Sequence, residues 1–331
     1  MKVAFIVRST LFTVKGGDTI QVKETARQLR EYGVEVDILT ASEKINYDQY
    51  NLLHFFNIIR PADILVHVKR SGKPFVVSTI LVDYAAYDKQ QRPGLAGKLF
   101  SLLPAGRIEY LKTIYRSLRR QDPLVSIAYL WKGHKRSIRE ILSKAKAVFV
   151  HAQEEYRELV KLYGVAPPYT VIRNGIDKTL FQPSAPANKE QDLVLCVARI
   201  EGIKNQYNLI RAINNSAYRL VLIGDVAPNQ REYYRECRKI AAENISFVSH
   251  LPQNELLEYY AAAKVHVLPS FFEVCGLASL EAAAMGCRIV ITDKGYARSY
   301  FNDAAFYCDP KDPDNILQAI DDAASANING E

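Results

Sequence analysis

The amino-acid sequence predicts an α/β protein of two doubly wound domains with a deep ligand cleft between them. Three observations carry this. Short apolar, β-branched runs alternate with stretches of helical period, as parallel sheets covered by helices require. The alternation is interrupted once, by the polar stretch from Gln182 to Asp192, and then restarts. A chain of 331 residues is long for one core and comfortable for two. The expected domains are residues 1–181 and 182–331.

In chain order, residues 2–7 read as a strand feeding a loop with Gly16-Gly17, then a helix over about Thr19–Tyr32 that Gly33 ends. Two glycines ahead of Asp18-Thr-Ile-Gln21, a candidate capping box, leave room for a ligand near the backbone. Val34–Leu39 is the next strand. The apolar runs Ile64–Val68, Pro74–Ser78 and Ala147–Val150 read as further buried strands. A helix over about Glu154–Tyr163 leads to Tyr169–Asp177. After the linker, strands are expected at Leu193–Val197, Arg219–Ile223, Ile245–Val248, Val265–Leu268 and Arg288–Thr292, with a last helix near Pro313–Ala324.

The apolar share of 48% and charged share of 24% are ordinary for a globular chain. No apolar run approaches the roughly 20 residues that cross a bilayer, and the N-terminus lacks the pattern of a cleaved signal. The five cysteines, Cys196, Cys237, Cys275, Cys287 and Cys308, are scattered and never spaced as CxxC. They predict reduced, buried thiols, a cytoplasmic location and no metal site.

Net charge is +7, unevenly spread: Lys98 to Lys146 holds twelve Lys/Arg against three Asp/Glu, a local +9. Within it, Ile108, Leu111, Tyr115 and Leu118 fall on one helical stripe, with Lys112, Arg116, Arg119 and Arg120 mostly off it. Three readings stay open for this segment: an anionic membrane surface, a core-packed helix with a solvated basic face, and an anionic substrate. Nucleic acid is not expected, because no helix-turn-helix, zinc or RNA-binding signature accompanies the charge.

The most informative stretch is Ser270–Gly286. It sets Glu273 and Glu281 on either side of a Gly276-Leu277 step that opens a helix between two predicted strands. Loops at strand carboxyl ends are where open α/β sheets bind ligands, and helix N-termini favour phosphate. A carboxylate there suits hydroxyls rather than phosphate. The blander alternative is a pair of glutamates serving only the helix dipole and the solvent. Arg199 and Lys204, after the first strand of the second domain, offer a phosphate fork and a point charge.

The stretch resembles the E-x7-E signature of retaining glycosyltransferase family 4, whose fold, GT-B, has two Rossmann-like domains. Cys275 stands for that family's common Phe, and Ala283 for its Met. Arg199, Lys204-Asn205, Gly16-Gly17 and Val171–Asp177 resemble further family segments. So do Leu222–Asp225 with Gly224, and Phe247–Pro252 with His250 and Leu251.

The resemblance implies a nucleotide-diphosphate sugar as donor, with no cofactor and no metal. Arg199 and Lys204 would hold the diphosphate, Glu281 the ribose, and Glu273 the donor sugar. Gly16, Gly17, Gly224, His250, Leu251, Gly276 and Leu277 would line the donor. His250 by itself reads as an exposed loop residue. The acceptor would be a saccharide or a lipid-linked sugar in cell-surface polysaccharide synthesis, with the enzyme at the inner membrane face.

Two departures stand out. Ile80 occupies the place of a first-domain His, which leaves Asp83 and Tyr84 on the acceptor side. The chain also ends at Glu331, before the helices that usually cross back, so it is expected to be truncated or unusually short. The alternatives are a catalytically impaired nucleotide-sugar-binding protein and a basic membrane-surface adaptor.

Overall fold

Strand β1 (Lys2–Val7) buries Val3 through Val7 because it lies inside a sheet rather than at its edge. In a computed structural model the sheet order is β2-β1-β3-β4-β5-β6. The partners are β2 (Glu35–Thr40), β3 (Leu52–Phe56), β4 (Phe75–Ser78), β5 (Ala147–Val150) and β6 (Tyr169–Val171). Every neighbouring pair is parallel. The helices are α1 (Gly17–Glu31), α2 (Pro61–Ser71), α3 (Ala105–Leu118), α4 (Ile127–Lys144) and α5 (Gln153–Tyr163). The structure describes residues 1–14, 16–82, 105–118, 127–182 and 189–326, without the side chains of 105, 106, 116–118, 127 and 128.

Ile64–Val68, expected as a strand, is the middle of α2. Pro61 at its first turn and left-handed Gly72 at its C-cap bound a helix. The run is apolar because α2 buries Ile64, Leu65 and even His67. The strand sits instead at β3, whose Leu53–Phe56 are all buried.

The second sheet has the order β12-β11-β10-β7-β8-β9, again parallel throughout. Its strands are β7 (Glu190–Val197), β8 (Arg219–Ile223), β9 (Ile245–Val248), β10 (Ala263–Leu268), β11 (Arg288–Thr292) and β12 (Phe306–Cys308). They alternate with α6 (Gln206–Ile213), α7 (Arg231–Ile240), α8 (Gln253–Ala262), α9 (Leu277–Ala284), α10 (Arg298–Phe301) and α11 (Pro313–Ser325). Two parallel, doubly wound sheets are the Rossmann-like pair that the sequence predicts.

The compact units are Met1–Arg173 and Asn174–Glu331, so the division falls ahead of the expected 181/182 boundary. Phe181 is buried in the second core, and Ile176 and Leu180 pack on it, which draws the segment after Arg173 into the second unit. All five cysteines are buried and free. Among the described residues no helix is long and apolar enough to cross a membrane.

The strand orders locate the sites. In the second sheet the chain winds from β7 outward through β8 and β9, then returns to place β10 on the other side of β7. Loops leaving the carboxyl ends of β7 and β10 therefore part in opposite directions and open a crevice between them. The first sheet repeats this at β1 and β3.

Candidate active site

The loop after β7 carries Arg199 and Lys204; the loop after β10 carries Ser270 and Glu273. Lys204 Nζ lies 2.8 Å from Glu273 Oε2, which also accepts from Ser270 Oγ at 3.0 Å. Glu273 is only 8% exposed and Ser270 fully buried, so the carboxylate needs both partners. Burial works against the Lys204 ammonium, but attraction to Glu273 and Glu201 outweighs it and raises its pKa. Arg199 donates to Glu201 at 2.9 Å. The result is a fixed cluster of two cations and two carboxylates at a strand switch point.

Buried amides hold the loops in register. Asn205, left-handed at φ +60°, donates through Nδ2 to the carbonyls of Pro269 (3.0 Å) and Pro310 (2.6 Å). The Phe271 N–H donates to Ile203 O at 2.8 Å, directly linking the two loops. Gln206, fully buried, donates to Arg199 O at 2.8 Å and accepts from the Glu201 N–H at 3.4 Å. Asn is among the residues enriched in the left-handed region, and here its amide ties the turn to segments far away in sequence.

Gly224 proves to be a packing glycine. At φ +150°, an added Cβ would lie 2.1 Å from Ala198 O, so β8 can turn against the Arg199 loop only without a side chain. Gly295, which sequence reasoning missed, does the same for Glu273: at φ +96° its Cβ would lie 2.1 Å from Glu273 O. Its lone sequence signal is the Lys294-Gly295 step after β11.

Gly276, left-handed at φ +66°, is the N-cap of α9, and Leu277 is its first residue. Glu281 is buried on α9, where it accepts from Tyr260 OH (3.0 Å) and Gln253 Nε2 (3.3 Å). Burial raises its pKa above the usual carboxylate range, against the opposing effect of those two bonds. Glu281 is thus no solvated helical residue.

His266, also missed, sits fully buried on β10. Its Nε2 accepts from the Val197 N–H at 3.4 Å, and Nδ1 lies 3.2 Å from Ser279 Oγ. Burial lowers its pKa to about 3, so the ring is neutral and joins the end of β7 to α9.

His250 is exposed; its backbone N–H, rather than its ring, reaches Asp225 Oδ1 at 3.1 Å. Leu251 packs on the core. Among the described residues no group of three or more His, Cys, Asp or Glu side chains is placed to hold a metal ion.

In the first unit, Gly16 caps α1 and Gly17 begins it. The expected capping box over Asp18–Gln21 is shifted: Thr19 Oγ1 accepts from the Gly16 N–H at 3.2 Å. Asp18 is taken by Arg8, whose guanidinium forks onto it at 2.7 and 3.1 Å. Gly16 is extended at φ −161°, a conformation open to any residue. Asp83 and Tyr84 lie outside the described residues.

Residues 177–329 match the family Glycosyl transferases group 1. This span lies wholly within the second unit. Over that span, a little under half of the chain, the second unit is similar to this family. A D-inositol 3-phosphate glycosyltransferase of Acidothermus cellulolyticus is 23% identical, over 92% of this chain and 77% of that protein. Among solved structures, sucrose-phosphate synthase from Thermosynechococcus elongatus superposes with a TM-score of 0.72 at 17% identity. The match covers 97% of this chain and 89% of that one. Anabaena HepE in complex with UDP-glucose gives 0.68 at 16% identity, over 98% and 90%. At these identities the structures establish the fold, which is GT-B. The matched span holds the whole Arg199, Lys204, Glu273 and Glu281 set.

Proposed function

We propose that the protein transfers a sugar from a nucleotide-diphosphate sugar to a saccharide or lipid-linked acceptor, with retention at the anomeric carbon. The observation that carries this is the Lys204–Glu273–Ser270 cluster beside Arg199, at the switch point of the unit that is similar to glycosyl transferases group 1. Arg199 and Lys204 neutralise the diphosphate as the bond from the anomeric carbon to the β-phosphate oxygen breaks. Preorganised charge of this kind is usually the largest catalytic term. The N–H groups at Gly276-Leu277 add to it.

Glu273, anchored by Lys204 and Ser270, accepts from donor-sugar hydroxyls and faces the positive charge on the ring. Glu281 accepts from the ribose. The acceptor hydroxyl bonds to the anomeric carbon on the face the phosphate leaves, and its proton passes to the departing phosphate oxygen. That route requires no side-chain base at Ile80. Because Arg199 and Lys204 supply the neutralising charge, transfer is expected to persist in EDTA.

The donor is taken as a UDP-sugar because HepE was solved with UDP-glucose, and D-inositol 3-phosphate, from the name of the Acidothermus relative, is a further acceptor to test beside saccharides. The deciding experiment is thermal stabilisation of the full chain by UDP, GDP, ADP and TDP and their sugars, with EDTA present. Saturation at 100 times the dissociation constant adds about 2.7 kcal/mol. No shift with any of them would remove the donor site and favour the adaptor alternative.

A specific observation also favours attachment to an anionic membrane. Of the predicted stripe's described side chains, Ile108 is buried, while Leu111 and Tyr115 are exposed. On α4, Trp131 is 85% exposed and Leu130 43%, and exposed Lys135, Arg136 and Arg139 follow after a kink at Gly133. An amphipathic aromatic set among cations suits an anionic lipid interface. Arg119 and Arg120 lie outside the described residues, as does the Arg116 side chain.

A further inference from the structure

The carboxyl end of β4 holds a backbone outlier. Ile80 has φ +45°, a region that a β-branched side chain enters only when its surroundings over-determine it. Its two neighbours share one acceptor. The Thr79 hydroxyl and the Leu81 N–H (2.8 Å) both donate to Glu155 Oε1, so one carboxylate oxygen grips the turn on both sides. The other oxygen accepts the His151 backbone N–H at 2.6 Å and lies 3.1 Å from His151 Nδ1.

Glu155 and His151 are 0% and 1% exposed. Gln21 of α1 brings its Nε2 within 2.9 Å of His151 Nε2. An amide NH2 has only protons to offer, so Nε2 is the acceptor and the ring proton sits on Nδ1, directed at Glu155. Glu155 is the third residue of α5, where the helix dipole favours an anion. With four donors, its burial is compensated. Burial pushes its pKa up, but the bonds from His151 and Thr79 prevail and hold it below the usual carboxylate range.

A continuous chain of contacts thus runs from the Ile80 turn through Glu155, His151 and Gln21 to α1, which begins at Gly16-Gly17. We propose that Glu155 and His151 are positioning residues that clamp the Ile80 turn in its left-handed form and couple it to the Gly16-Gly17 end of α1. The Ile80 turn on the acceptor side and the Gly16-Gly17 end on the donor side are then held in one preformed arrangement. The functional half of this rests on the reading that the first unit takes the acceptor.

Glu155→Gln keeps the volume but turns an amide NH2 toward donors, whichever way it faces. Hydrogen exchange of the full chain should then quicken at least tenfold at Leu81 and also in the first turns of α1. Quickening confined to 79–81, or none, overturns the coupling. In kinetics with saturating UDP-glucose and varied D-inositol 3-phosphate, KM for the acceptor should rise at least tenfold, while UDP affinity, carried mainly by Arg199, Lys204 and Glu281, falls by much less. An equal loss of UDP affinity would mark a general structural role and overturn the proposal.

Should Glu155→Gln fail to fold, Gln21→Ala, which releases only the α1 end, should quicken exchange at Leu81 by a few-fold. An unchanged rate there overturns the coupling. If the wild-type chain turns over neither substrate, the transferase reading fails for that pair, while hydrogen exchange still decides the coupling.

Discussion

Lys204 and Glu273, 69 positions apart in sequence, form an ion pair at 2.8 Å that joins the two loops of the β7/β10 crevice. Glu273 is the main attractive electrostatic partner of Lys204. Lys204→Ala removes the leaving-group charge and leaves a nearly buried carboxylate with only Ser270. Turnover is expected to fall about 10²–10³-fold, or about 2.7–4 kcal/mol. Adding Glu273→Gln should recover stability in urea unfolding without recovering activity. Recovery of turnover in the double variant would refute the leaving-group role.

Glu281 separates binding from stability. Its raised pKa means that the folded chain binds the proton more tightly than the unfolded chain. Its contribution to stability is therefore present below the unfolded pKa and is lost as pH rises through the raised value. At neutral pH Glu281→Gln should be neutral or slightly stabilising, yet weaken UDP about tenfold, or about 1.4 kcal/mol. Calorimetric titration with UDP, set beside urea melts from pH 4 to 8, checks both halves. Unchanged affinity would detach Glu281 from the ribose.

Gly295→Ala drives a Cβ into Glu273 O and forces a side chain to φ +96°. It should cost about 2 kcal/mol or more and lower turnover by displacing Glu273. Gly175→Ala, with nothing within 4 Å of its Cβ, is the control and should lie within about 0.5 kcal/mol of wild type. Equal effects at the two positions would contradict the packing argument.

Trp131→Ala with Lys135→Glu and Arg136→Glu should abolish pelleting with phosphatidylserine vesicles at low salt and leave UDP binding intact. Wild-type pelleting should weaken steeply with added salt, since exposed charges more than about 8–10 Å apart are screened at physiological ionic strength. Pelleting that ignores both salt and substitution would argue for a solvated basic face.

Local pattern carried much of this molecule. The strand–helix alternation, the restart after Gln182 and the motif residues Arg199, Lys204, Glu273 and Glu281 are legible because each depends on neighbours within a few positions. Ile64–Val68 reads as a strand although it lies in the helix Pro61–Ser71, because a buried helix and a buried strand are both continuously apolar. Pro61 and Gly72 were the signals that separated them.

Only the tertiary structure decided which loops share a crevice. β7 and β10 become neighbours through pairing across some 70 residues, and no local preference encodes that order. For the same reason the roles of Gly295, His266 and Glu155 were invisible in the chain: each is defined by an atom that folding brings close, not by the residues beside it. A carboxylate's sequence neighbours identify it as a candidate. Whether it grips a strained turn, pairs with a lysine or sits under a tyrosine follows from long-range packing.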